Sequence, residues 1–333
     1  MDEIQLRRNV LSRGYTDHDI RQLYRGREWR RLGHGCYIEE ADFSSRDSAG
    51  QHRILIESTL PALASDTIVS HQSAAVLYKL PLWATALELV HVTRNRRNGG
   101  RVRRALKVHC APIADGVVEI DGWWTTSPAR TMVDLARTLP FEQAVVAGDA
   151  ALRMLGVTGS ELALELEFAH RRSGISQARR TIDFLDARSE SVGESRSRVM
   201  FWRYGLPIPS QQGEVRSATG EFLGRVDFYD PETGVVGEFD GQVKYGRLLK
   251  PGQEPGDVVF KEKLREDALR DAGLRMVRWT WQDLTGESAV RRRQRAIDQA
   301  RHSPHPHVTI TPAPLPCPPR PQLQPLPTQA HTF

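Results

Sequence analysis

The sequence predicts an α/β multidomain chain. It reads as an N-terminal winged helix-turn-helix, an α+β middle region and a C-terminal core running helix, three strands, helix, strand. Three observations predict this. Two short helical segments separated by a Gly turn lead into a basic, strand-like stretch ending at Tyr37. Farther on, Phe222 to Asp240 reads as two strands around Asp230-Pro-Glu-Thr-Gly234, which has Pro and Gly where a β-turn wants them. Residues 302–333 hold ten of the 20 prolines and no acid, a composition that reads as a tail without fixed structure. The divisions are 1–43, 44–190, 191–301 and 302–333.

At the N-terminus, Ile4 to Arg13 reads as a helix closed by Gly14. Thr16 or Asp17 can cap a second helix, Asp17 to Tyr24. Its register leaves Asp17, His18, Arg21, Gln22 and Arg25 as groove-facing candidates. Gly26 to Ile38 then reads as a β-wing in which Arg27, Arg30 and Arg31 would meet DNA phosphates, contacts that position a protein without specifying sequence. A small helical cap used for protein contact would show the same pattern. Arg30-Arg-Leu-Gly-His-Gly-Cys-Tyr37 resembles the wing of AbiEi-type antitoxins.

The middle region resembles the same family on Ser70-His-Gln-Ser-Ala-Ala75, Leu80-Pro-Leu82, Val90-His-Val-Thr93 and Thr125-Thr-Ser-Pro-Ala-Arg-Thr-Met-Val-Asp-Leu-Ala136. The resemblance implies a toxin–antitoxin or defence setting and a cognate toxin as partner. It assigns no catalytic residue here. His71 reads as a structural capping residue after a strand. Ser127 reads as a helix cap with Pro128 at the first helical position, and Arg130 with Asp134 as an i,i+4 ion pair. Arg94 to Arg104 carries six Arg between strand-like runs at Val90 and Leu106, so it reads as a hairpin tip, either a basic nucleic-acid contact or a solvated loop. Two helical segments follow between Ser160 and Arg188, and Asp186 to Arg196 reads as a linker.

In the C-terminal part, Glu194 to Tyr204 reads as a helix stopped by Gly205 and Pro207, and Gln211 to Arg216 as a short strand. If Pro231 to Gly234 form the loop, Asp230 pairs with Val235 and Asp227 lies opposite Glu238. Facing like charges destabilise a sheet. Asp240 shares their face. Three carboxylates there call for a divalent cation, Mg²⁺ or Mn²⁺, unless the hairpin merely has a wet polar face. Phe260, Leu264, Ala268 and Ala272 recur at helical spacing before Gly273, and Leu274 to Trp281 reads as a strand.

This order matches the core of the PD-(D/E)XK nuclease superfamily, a restriction-endonuclease-like αβββαβ arrangement. Glu194-Ser-Arg, Gly224-Arg-Val-Asp227, Val236-Gly-Glu-Phe-Asp-Gly-Gln242, Arg265-Glu-Asp-Ala-Leu269 and Val277-Arg-Trp-Thr-Trp-Gln-Asp-Leu284 resemble domains related to very-short-patch repair (Vsr) endonucleases. The resemblance implies Asp227 and Glu238 as metal ligands, Glu194 as the acid completing the site, and Asp240 and Gln242 at the end of the active strand. It implies Mg²⁺-dependent hydrolysis of DNA phosphodiesters. One departure matters: the pattern wants Lys two residues after Glu238, where Asp240 stands. Lys244, Lys261 or Lys263 could substitute. The alternative is a non-catalytic, antitoxin-like regulator whose nuclease-fold domain only binds DNA or a partner.

Composition fits either. Net charge is +5 with pI ≈ 9.3, which permits a nucleic-acid partner. Cys36, Cys110 and Cys317 show no CxxC or Cys/His zinc spacing, so free thiols in a reducing cytoplasm are expected. There is no apolar leader, no 18-residue apolar run and hence no membrane partner. No internal repeat, P-loop, GxGxxG or HExxH occurs.

Overall fold

The computed structural model describes residues 4–96, 98–113, 116–241 and 255–326, with side chains omitted over 255–262. The chain divides into two compact units. The first holds residues 1–151, 155–184 and 319–333; the second holds 152–154 and 185–318.

The first unit opens with β1 (Gln5–Leu6), α1 (Arg7–Ser12), α2 (Asp17–Arg25), β2 (Trp29–Gly33) and β3 (Cys36–Glu39). A longer first helix was expected. Instead Gln5 and Leu6 pair with Tyr37 and Cys36, giving the strand order β1-β3-β2. One extra helical turn is worth less than this pairing, since short helices are marginal in water. Thr16, rather than Asp17, caps α2 in a reciprocal capping box with Asp19. Leu32, Ile38, Phe43 and Ile54 form the core beneath this three-stranded sheet.

Next come α3 (Glu40–Ser44), α4 (Ser48–Thr59), β4 (Thr67–Val69), α5 (His71–Leu77), β5 (Val90–Arg94), β6 (Arg101–Arg103), β7 (Leu106–Cys110), β8 (Val117–Ile120), β9 (Trp123–Thr126), α6 (Pro128–Thr138), α7 (Phe141–Leu155), α8 (Gly159–Phe168) and α9 (Ile175–Phe184). The sheet order is β6-β7-β5-β4-β9-β8. The basic segment is not a hairpin tip. Its flanking strands β5 and β7 run parallel, and the arginines lead into exposed β6, which pairs antiparallel with β7 at the sheet edge. Ser127 caps α6 as expected, and every residue from Pro128 to Ala136 is buried.

The second unit comprises α10 (Val192–Arg203), β10 (Ser210–Ser217), β11 (Phe222–Tyr229), β12 (Val235–Asp240), α11 (Pro255–Asp271), β13 (Arg275–Thr280), α12 (Ser288–Ala300) and β14 (Val308–Pro312). The sheet order is β13-β12-β11-β10-β14, with only β12 and β13 parallel. The hairpin register is as read: Asp230 N–H donates to Val235 C=O at 2.8 Å, and Phe228 pairs with Gly237. Residues 192–196, the end of the stretch read as a linker, are instead the start of α10, buried from Gly193 onward. Gly193 is required there, because a Cβ would lie 1.9 Å from the Phe239 ring. The Pro-rich segment is not structureless. Val308 to Pro312 add an edge strand to β10, a position where proline costs no ladder bond, and Gln324 bridges Val117 within the first unit.

Among the described residues no helix is long and apolar enough to cross a membrane. The three cysteines are free.

Candidate functional site

The register of the second sheet lines up one row of polar residues. On β10 and β11, Gln211 pairs with Phe228 and Gly213 with Val226, which sets Gln212 beside Asp227. Phe228 pairing with Gly237 sets Asp227 beside Glu238, and Glu238 pairs with Arg278 on β13. Gln212 departs from regular strand geometry, with φ of +55°.

Each expected ligand is engaged. Glu194 is buried, and its carboxylate accepts from Glu190 N–H at 2.9 Å, Ser191 Oγ at 2.7 Å and Gln212 Nε2 at 2.7 Å. Burial pushes its pKa up, opposed by those donors. Asp227 Oδ2 accepts from Phe239 N–H at 3.0 Å. Glu238 lies between two guanidiniums: Arg265 Nη2 reaches Oε1 at 2.5 Å, and Arg278 Nε and Nη2 reach Oε2 at 3.1 and 3.0 Å. Arg278 in turn meets Glu266 at 3.0 Å. Asp240 is exposed beside Thr280. Gln242 and Lys244 lie outside the described residues, as does the side chain of Lys261; Lys263 is exposed on α11.

The like-charge conflict that called for a cation is therefore answered by protein. Arg265 and Arg278 supply the compensating charge through charge-assisted hydrogen bonds. Each oxygen of Glu194 and of Glu238 already accepts at least one hydrogen bond from protein. Among the described residues, the three carboxylates are not gathered into a ligand cluster. The side chains that do converge are His71, His91 and His109 in the first unit, and the sequence spacing gave no signal for the last two.

The arginines and polar residues of α2 and β2 are partly engaged within the protein. Arg30 makes a bidentate pair with Glu40 at 2.9 and 2.6 Å and lies 4.2 Å from the Phe43 ring centroid. Arg31 Nε donates to Gly33 C=O at 3.2 Å, and Arg21 Nε to Asp17 C=O at 3.2 Å. Asp17 is paired with Arg7 at 2.6 Å, and His18 with Gln22 at 3.0 Å. Arg25 and Arg27 are exposed and carry no ion pair among the described residues.

No protein-family model matches the chain. It is 30% identical over 184 residues to two proteins of Mycobacterium tuberculosis, the uncharacterized proteins MT2308 and Rv2248, in a match covering 55% of this chain. The chain spans 65% of the length of these curated relatives. A crystal structure of the RV2827C protein from Mycobacterium tuberculosis aligns with 63% of this chain and 78% of that one at 14% identity, with a TM-score of 0.36.

Proposed function

We propose that the chain is a DNA-binding protein with an N-terminal winged helix-turn-helix and a C-terminal restriction-endonuclease-like core that binds DNA, or a partner such as a cognate toxin, without hydrolysing it. The observation carrying this reading is the Glu238 carboxylate held by Arg265 and Arg278. An acid neutralised in this way needs no cation to relieve its facing with Asp227. Exposed Arg25 and Arg27 beside the wing support the DNA part. A second reading, Mg²⁺- or Mn²⁺-dependent cleavage of DNA, is favoured by the register that sets Asp227 beside Glu238.

One experiment separates them. The full chain is incubated with plasmid, linear and single-stranded DNA in Mg²⁺ or Mn²⁺, and binding is followed on the same DNAs. The expected outcome is salt-sensitive binding with intact products. Nicking that Asp227→Asn abolishes would establish the hydrolytic reading instead. Absence of binding to every DNA would overturn both.

A further inference from the structure

The first unit gathers three imidazoles, two buried and His109 half-buried, that the DNA-binding reading leaves unused. His71 opens α5 with φ of +52°, an uncommon backbone state for a residue other than glycine. His91 is the second residue of β5 and His109 the fourth of β7. On these parallel strands His91 pairs with Lys107 and Thr93 with His109, so both histidines share one sheet face. His71 meets them there, stacked on His109 with centroids 3.7 Å apart and 5.7 Å from His91. One ligating nitrogen of each ring lies within 4.8 Å of the other two. His71 and His109 also line a cleft of about 570 Å³, with Cys110, Arg137 and Arg172 on its walls.

Protein neighbours satisfy this group only in part. His109 Nε2 and His91 Nδ1 are 3.2 Å apart, so one must carry a proton and the other a lone pair. His71 Nδ1 meets Ser70 Oγ at 3.0 Å, but its Nε2 is 4.0 Å from Asp134 Oδ1, beyond hydrogen-bond reach. Burial, above all, lowers the pKa of His71 to about 4 and those of His91 and His109 to about 3. Neutral imidazole is the ligating form.

We propose that His71, His91 and His109 bind a nitrogen-preferring divalent transition ion of the Zn²⁺ class, with an open coordination position facing the cleft beside Arg137 and Arg172. Zn–N bonds of about 2.0–2.1 Å in a tetrahedron place ligand nitrogens roughly 3.4 Å apart, so the rings must close from their present spacing by side-chain rotation. Asp134, held by Arg130 at 2.7 Å and Arg137 at 3.0 Å, stands where an outer carboxylate would orient the His71 ring. Mg²⁺ prefers oxygen donors and is not the ion for this site.

The test uses the full chain stripped with a chelator and titrated with Zn²⁺ and with Co²⁺. One equivalent should bind, Co²⁺ should show the visible d–d absorption of a low-coordinate nitrogen site, and excess Mg²⁺ should not compete. His109→Ala, at the most accessible of the three, should weaken Zn²⁺ binding more than the ~10–100-fold typical of losing an outer partner, with circular dichroism unchanged. Unaltered affinity in a folded His109→Ala variant would overturn the site, as would no stoichiometric binding to wild type. If that variant fails to fold, the wild-type imidazole nitrogen resonances decide: three rings shifting together with one equivalent of Zn²⁺ supports the site, and unshifted rings overturn it. None of these outcomes depends on DNA binding.

Discussion

Glu238 shows at the residue scale both the reach and the limit of the sequence. Its facing of Asp227 was legible, because a turn fixes register and register fixes facing pairs. Its neutralisation was not, because Arg265 comes from α11 and Arg278 from a parallel strand, neither of which local spacing can place. Asp283 offers a cleaner residue-scale test. Burial works to raise its pKa, but hydrogen bonds from Ser288, the Thr280 N–H and Arg292 outweigh this and hold it at about 2. The folded pKa lies below the ordinary 3.8, so the unfolded chain binds more protons between those values. The stabilisation is complete above the ordinary value and lost as pH falls toward the folded one. Asp283→Asn should cost about 1 kcal/mol near neutral pH, allowing for solvent screening, and should flatten the acid limb of stability. Urea denaturation at neutral and acid pH measures this; equal midpoints at neutral pH would refute it.

Capped helices were legible at the element scale. Ser127, Thr16 and Gly273 mark their helix ends with side-chain or backbone chemistry that lies nearby in sequence. Strands that depend on distant partners were not. β1 was hidden inside a helical pattern, and β14 inside a proline-rich run where Val308-Thr-Ile310 is the sole alternating stretch. The arrangement of β5, β6 and β7 was missed for the same reason, since a parallel pair leaves no turn signature. Around β2, the exposed Arg25 and Arg27 and the Glu40-paired Arg30 predict different outcomes. Arg25→Ala with Arg27→Ala should make the log–log salt dependence of duplex binding shallower by about two units, at about −0.9 per phosphate contact. Arg30→Ala should leave the slope unchanged, because its guanidinium is held by Glu40. Fluorescence anisotropy across a salt series measures both slopes, and a slope that responds only to Arg30 would reverse the assignment.

On the scale of the whole molecule, the late proline-rich segment belongs to both units: β14 completes the second sheet, and residues 319–326 belong to the first unit. Ending the chain after Ser303 should lower the melting temperature of the second unit by roughly 5 °C or more, since each kcal/mol lost moves a transition by ~2–8 °C. Ending it after Pro318 should spare that transition and weaken the first unit, which loses the paired hydrogen bonds between Gln324 and Val117 at 2.7 and 2.9 Å. Calorimetry of the two truncations distinguishes these outcomes, and unchanged melting in both would refute the roles given to the segment. The Gln324–Val117 bridge also bears on the order of events at the ribosome. Val117 leaves the exit tunnel more than two hundred residues before its partner, and the entire second unit is synthesised in between. At roughly 5–20 residues per second the first unit waits on the order of ten seconds or more with one edge uncovered. A nonsense mutation at or just before Gln324 would leave that edge permanently open, more than two hundred residues along the chain from the strand it harms.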